Sequence, residues 1–212
     1  MIEIPKIWLA DRNVGIVNEW KKMFAGVSNV TITHCNDICD ILPLCKVVVS
    51  PSNSFGVMDG GIDLTYTRFY GENLGQQLRT KIASDHFGEL PVGQATYVPI
   101  NDTQCLVSAP TMRVPQIVAK TDNAYLAFRA TLVCCLTNNL EGPVLVPGLC
   151  TAIGRMPAAM AAKQMRLAYD SILYALSNPG QPLSLGQATR NHLSLLDLDT
   201  EYCFPCVENS GD

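Results

Sequence analysis

Val47-Val48-Val49-Ser50-Pro51-Ser52-Asn53-Ser54-Phe55-Gly56-Val57-Met58-Asp59-Gly60-Gly61-Ile62-Asp63 begins apolar and ends in a glycine pair beside a carboxylate. The three consecutive valines read as a strand buried on both faces, the pattern of a central parallel strand. A glycine-punctuated loop follows over residues 53–61, then a mainly helical stretch over about 63–86. Gly60 and Gly61 carry no side chain, so the backbone there can adopt positive φ and approach a ligand closely. A helix starting just behind them adds its dipole in favour of an anion. Taken alone, the pair reads first as an ordinary tight turn between strand and helix.

Working outward, a second apolar strand, Val144-Leu145-Val146, leads into another glycine-containing loop over 147–156. Pro157 then sits where a first helical turn tolerates it, and a long helix over 158–176 is expected. Lys6-Ile7-Trp8-Leu9-Ala10 reads as the first strand. Val14, Val17, Trp20 and Phe24 recur after it at helical spacing. Further strands are expected at Val30-Thr31-Ile32-Thr33, Ala95-Thr96-Tyr97-Val98 and Cys105-Leu106-Val107-Ser108, the last two joined across Asn101-Asp102. Asp37-Ile38-Cys39-Asp40 starts a short helical turn, and Thr121-Asp122-Asn123 caps a helix over 124–137. Helices alternating with short apolar strands predict a three-layer α/β fold, a mixed sheet with helices on both faces. Beyond Asn178-Pro179-Gly180 the pattern decays. This divides the chain into a domain at 1–178 and a C-terminal extension at 179–212. The extension has one short helix over 183–198 and disorder over 208–212.

Hydrophobic residues make up 48% of the 212 residues and charged residues 16%, which matches a globular core and no membrane span. Met1-Ile2-Glu3-Ile4-Pro5-Lys6 has no basic region followed by a long apolar run, so a cytosolic or nuclear location is expected. The net charge of −4 offers no broad attraction to nucleic acid or anionic lipid, so a phosphate ligand must be held by local backbone dipoles. The nine cysteines read as mainly reduced core thiols. Cys203-Phe204-Pro205-Cys206 has redox or zinc-type spacing without a second pair, and Cys35 and Cys39 beside His34 are a weaker metal candidate. The expectation is no metal and no redox cofactor. The lysine motif of phosphate-binding loops and the three-glycine dinucleotide fingerprint are both absent.

Taken together, these elements resemble the macro domain family. There an apolar strand ends in an Asn-Ala-Ala-Asn type turn, followed by a glycine run and a Val-Asp pair. Asn53 and Asp63 stand at the family's separation of ten residues, with Ile62 in the Val place. Asn36-Asp37-Ile38 occupies the stretch of the family's Gly-Asp-Ile. Pro147-Gly148-Leu149-Cys150-Thr151-Ala152-Ile153-Gly154-Arg155-Met156-Pro157 equals its second phosphate loop in length. Pro91-Val92-Gly93-Gln94-Ala95 matches its Thr-Gly-x-Ala segment. The chain departs from the pattern in four ways. Ser50 replaces the first Asn. The four-glycine run shrinks to Gly60-Gly61 behind Met58 and Asp59. Ala152 replaces the central Gly of the second loop, and Gly154 stands where an aromatic often meets the distal ribose.

The resemblance implies a role for each of these residues. Asp37 accepts from the adenine amino group while the Ile38 N–H meets the ring; the alternative for Asp37 is a helix cap. Gly60, Gly61 and Ile62, with Thr151, Ala152, Ile153 and Gly154, wrap the diphosphate through backbone N–H groups. Asn53 bonds the distal ribose, or simply forms its turn. Asp63 orients or deprotonates a water near the anomeric carbon, or starts the helix. Asp11 is a rival adenine contact or a solvated strand end, and Arg155 and Lys46 add charge or are solvated. Cys150 stands in the place of a Ser, with none of His34, His86 and His192 placed to activate it. The implied function is binding of ADP-ribose or a derivative, with hydrolysis of a bond at its distal ribose. The scissile group would be an ADP-ribosyl ester on a protein or nucleic acid, O-acetyl-ADP-ribose, or ADP-ribose 1″-phosphate. The alternative is a non-catalytic module that binds ADP-ribose or a nucleotide signal.

Overall fold

In a computed structural model, which describes residues 3–197, the chain folds around a six-stranded sheet of order β2-β1-β6-β3-β5-β4. The strands are β1 (Ile7–Asp11), β2 (Val30–His34), β3 (Val47–Ser50), β4 (Thr96–Pro99), β5 (Cys105–Ser108) and β6 (Val144–Val146). Every neighbouring pair runs parallel except the hairpin β4–β5. The six α-helices of the described residues are α1 (Val14–Met23), α2 (Gly61–Tyr70), α3 (Asn73–Asp85), α4 (Asn123–Thr137), α5 (Ala158–Ser177) and α6 (Leu185–Leu196). The Cys203 and Cys206 pair and the expected disorder of 208–212 lie outside the described residues.

Alternation along the central strands builds the three layers. Successive side chains of a strand point to opposite faces. Val47 and Val49 of β3, with Ile7, Leu9, Val144 and Val146, pack beneath α1, α4 and α5. Val48, Ala10, Leu145 and Leu106 face the other way, against Tyr66 of α2 and Leu74, Leu78 and Ile82 of α3. All four residues of β3 are buried, as its valine run predicts. The expected mixed α/β sheet with helices on both faces is present.

Two details differ from the sequence reading. Val14 is 56% exposed; the buried face of α1 is carried by Ile16, Val17 and Trp20. The stretch 63–86 is two helices, broken at Gly71, whose φ of 99° lies where L side chains are rare.

A buried glutamine joins the last elements to the body. Gln164, fully buried on α5, donates through Nε2 to the carbonyls of Thr121 (2.7 Å) and Leu195 (3.0 Å). Its Oε1 accepts from the Tyr125 N–H at 3.3 Å. One side chain thus links the start of α4, the middle of α5 and the end of α6, which is itself opened by a Ser184–Gln187 capping box. Gln164→Leu keeps the volume but strands these backbone groups in the interior, at about 1–3 kcal/mol for each group left unsatisfied. The variant is expected to lose at least about 2 kcal/mol in urea unfolding; a midpoint like that of the parent chain refutes this role.

Candidate functional site

Because β1, β3 and β6 are parallel neighbours, their carboxyl ends meet at one edge, and the loops leaving them form a cleft there. The cleft has two chambers. The larger, about 370 Å³, is lined by Asp11, Asn13, Cys35, Asp37, Ile38 and Thr65 among others. The smaller, about 120 Å³, is lined by Asn53, Asp59, Asp63, Thr111, Met112 and Gly154 among others. Pro51, Gly61, Ile62, Gly148 and Ala152 border both, so they form a waist between the chambers.

The first loop is shaped by what leaves β3. Its pairing with β5 continues past the strand ends: Ala109 N–H donates to Ser50 O (3.0 Å) and Thr111 N–H to Ser52 O (3.1 Å). The Asn53 side chain holds the turn, accepting at Oδ1 from Phe55 and Val57 N–H and donating from Nδ2 to Val57 O at 2.9 Å. Gly56 lets this turn lie against α3, since a Cβ there would meet Ile82 Cδ1 at 2.9 Å. Gly61, at φ 56°, opens α2 in a conformation that suits glycine, and the space beside both Gly60 and Gly61 is open. The N–H groups of the first helical turn, Gly61, Ile62 and Asp63, have no intrahelical acceptor; Gly61 and Ile62 lie at the waist and Asp63 borders the small chamber.

The second loop is anchored by Asp11. Its Oδ2 accepts from Gly148 N–H at 2.9 Å and its Oδ1 from Asn13 N–H at 2.7 Å. The expectation of a solvated strand-end carboxylate is therefore corrected: the group joins the end of β1 to the loop after β6. The loop closes on itself through Met156 N–H to Cys150 O (3.0 Å) and Arg155 N–H to Ala152 O (3.1 Å). Between these closures, the N–H groups of Thr151, Ala152, Ile153 and Gly154 meet no acceptor among the described residues. Four consecutive free donors and the free start of α2 border the same cleft. Backbone N–H groups that converge on one point make an anion site without a cation.

Gly154 has a steric reason. A Cβ there would lie 2.5 Å from Cys150 O and 2.7 Å from Val118 Cγ2. The segment 109–122 crosses at this point, with Val118 N–H donating to Gly154 O at 2.9 Å. Thr111, Met112 and Pro115 of this segment line the small chamber, and no periodicity in the sequence signalled them. Cys150, held at φ 64°, is buried, and burial pushes its thiol up to about 12, with Thr111 working weakly the other way. A thiol so protonated is no nucleophile at neutral pH.

Asp63 is the chemically distinctive group. It is 8% exposed, in the first turn of α2, and Ser50 Oγ donates to its Oδ1 at 2.6 Å. No protein donor reaches Oδ2 among the described residues, and the residue lines the small chamber. Burial pushes the carboxyl up to about 6; the Ser50 hydrogen bond works downward and the Asp59 charge adds upward. Ser50, which the sequence reading treated only as a departure from a pattern, is thus the partner of the buried acid.

The remaining expected residues separate cleanly. Asp37 caps its 3₁₀ turn through Cys39 N–H (2.9 Å), which holds its carboxyl below the usual range, and it also lines the large chamber with Ile38. Lys46, at the opposite end of β3, pairs with Glu141 at 2.9 Å and does not reach the cleft. Arg155 is exposed. His34 Nε2 lies 3.0 Å from Arg12 O, and among the described residues no three His, Cys, Asp or Glu side chains gather as a metal site. No helix of the described residues is long and apolar enough to cross a membrane.

The Asp63 carboxyl has a consequence for stability. Its ordinary value is 3.8 and its folded value about 6, so between them the folded chain holds a proton that the unfolded chain releases. Stability therefore falls as pH rises from about 4 to about 6 and stays at the lower level above, by roughly 1.4 kcal/mol per unit of difference. Asp63→Asn, which cannot ionise, is expected to melt higher than the parent chain near pH 8 and nearly level with it near pH 4. Thermal melts at the two pH values check this; an unchanged difference between them contradicts it.

The comparisons with known proteins point the same way as the cleft. The macro-like domain family matches residues 21–195. A curated relative, an uncharacterised protein of Aquifex aeolicus (strain VF5), is 29% identical over 121 residues, covering 56% of this chain and 69% of that protein. Among solved structures, a point mutant of the Oceanobacillus iheyensis macrodomain superposes with a TM-score of 0.51 at 12% identity, over 93% of this chain and 92% of that one. A second mutant of the same macrodomain, solved with ADPR, gives 0.47 at 15% identity over 57% of this chain and 68% of that one. A family match across most of the described residues, on a shared three-layer fold, is decisive: the chain belongs to the macro-like domain family.

Proposed function

We propose that the cleft binds ADP-ribose or a close derivative and that the chain hydrolyses a bond at the distal ribose. The observation that carries the binding reading is the set of free backbone donors bordering the cleft, four from the second loop and those at the start of α2. They suit a diphosphate in a protein of net charge −4 whose cleft offers few cations. The adenosine end takes the larger chamber beside Asp37 and Ile38, and the distal ribose takes the smaller. The Oceanobacillus iheyensis macrodomain, whose fold this chain shares, holds ADPR in one of its structures.

Hydrolysis rests on Asp63. A general base works best with a pKa near the operating pH, and burial has moved this carboxyl most of the way there. Ser50 fixes one oxygen, leaving the other to take a proton from a ribose hydroxyl or to orient a water. The substrate would be a de-ADP-ribosylation substrate on protein or nucleic acid, or a small ADP-ribose ester. One observation favours the second reading, a non-catalytic binding module. Both ends of the Asn53 amide are turned onto its own loop, so the expected ribose contact is engaged elsewhere.

Calorimetry tests the cradle. ADP-ribose is expected to bind with a micromolar-scale Kd, about −8 kcal/mol, and AMP much more weakly. Gly60→Val is the cleanest disruption: φ is −147°, open to any residue, and a Cβ there meets nothing in the protein. It should fold and melt like the parent chain yet lose ADP-ribose. Equal affinity for AMP and ADP-ribose, or normal binding by Gly60→Val, would remove the diphosphate reading.

Turnover is a separate measurement. Asp63→Asn is expected to hold ADP-ribose within about tenfold, or 1.4 kcal/mol, and to slow cleavage by about a hundredfold or more, the scale of a lost general base. Several substrates are assayed in parallel, because the wrong scissile group looks like inactivity. A parent chain that binds tightly and cleaves none of them is a binding module.

A further inference from the structure

On the reading that the cleft holds ADP-ribose, the small chamber also discriminates among the groups that the distal ribose can carry. Its lining includes two carboxyl groups, Asp59 and Asp63, and no Lys, Arg or His. The cation on the neighbouring segment is committed elsewhere. Arg113 forms a two-pronged pair with Glu89, at 2.8 and 3.0 Å, and lies over the Phe55 ring.

At Asp63 the small chamber presents an acceptor. Asp63 is more than nine-tenths buried, Ser50 satisfies its Oδ1, and its Oδ2 has no protein donor among the described residues. An ionised carboxylate only accepts. The complement of that oxygen is therefore a hydroxyl, an N–H or a cation. A phosphomonoester is the opposite: its oxygens accept, and it is a second anion set against charges whose repulsion is strengthened by burial. Asp59 already acts on Asp63 in this sense. On the ADP-ribose reading, the diphosphate would lie instead beside the backbone N–H groups of Gly61, Ile62 and Ala152 at the waist. Outside the carboxylates the lining is uncharged: Val57 and Ile153 are exposed at it beside Met112 and Pro115, with the neutral polar side chains of Ser52, Asn53 and Thr111 and the backbone of Ile153 and Gly154.

We propose that this chamber selects ADP-ribose derivatives whose distal ribose carries an uncharged or positively charged substituent and rejects the 1″-phosphomonoester. Asp59 and Asp63 are the specificity-determining carboxylates.

The proposal rests on the ADP-ribose reading of the cleft, and one pair of titrations separates the two. The chain is titrated calorimetrically near pH 8 with ADP-ribose and with ADP-ribose 1″-phosphate. The expected result is that the phosphorylated ligand binds at least about tenfold more weakly, as like charges at short range require. Asp59→Asn is expected to narrow the ratio of the two affinities by about threefold or more, since one of the two charges is gone. If ADP-ribose binds and its 1″-phosphate binds as tightly or more so, the selectivity is refuted while the cradle stands. If the ratio is unchanged in Asp59→Asn and in Asp63→Asn, the carboxylates are not its cause and the assignment falls. If neither ligand binds, the cradle reading fails and the selectivity fails with it.

Discussion

Parallel pairing of β1, β6, β3 and β5 is the constraint from which the cleft follows. Strands that run the same way cannot be joined by tight hairpins, so each connection must cross the sheet, usually through a helix. Every carboxyl end then opens at one edge. The loop into α2, the loop into α5 and the end of β1 emerge side by side there. Asp11 converts this proximity into a fixed geometry, one oxygen on the turn after β1 and the other on Gly148.

The cleft is lined by a single basic side chain, Arg12, among the described residues. The loops that border it carry positive-φ turns, at Gly61 (56°) and Cys150 (64°). A non-glycine residue in the left-handed region costs of order 1–3 kcal/mol and persists only where its surroundings dictate it. Cys150 meets that condition, buried beneath the segment 109–122 with its carbonyl closing the loop on Met156. Asp63 is a second local cost, a carboxyl placed where its ionised form is disfavoured. Both costs fall in the cleft, where a function would need them, while the valine-rich sheet beneath is free of such features.

How far the sequence carries this picture depends on the range of the interactions. Val47-Val48-Val49 and Val144-Leu145-Val146 announce buried strands, because burial on both faces leaves an unbroken apolar run. Gly60 and Gly61 mark the loop, because the backbone demands of a strand-to-helix turn are local. The Asp11 to Gly148 bond spans 137 positions, and Gln164 joins residues 43 and 31 positions away; neither leaves a local signature. Segment 109–122 is illegible for a related reason. It has no regular element, and its course is set by backbone bonds to Ser50, Ser52 and Gly154. Val14 was misread because helical spacing marks a face without fixing which neighbour turns inward; Ile16 does so instead.

The departures from the family pattern acquire partners once the chain is folded. Ser50, in place of an Asn, supplies the hydroxyl that holds Asp63 at 2.6 Å. Gly154, in place of an aromatic, leaves the room that Val118 fills, and its carbonyl receives the Val118 N–H. The small chamber is thus walled by a neighbouring segment in place of a single side chain. The two changes act on the same space from opposite sides, one orienting the buried acid and the other bringing Thr111, Met112 and Pro115 over it. Reverting Gly154 alone to a residue with a Cβ would collide with Cys150 and Val118 before it could meet a ligand. The two altered positions therefore act on one space, Ser50 through Asp63 and Gly154 through Val118.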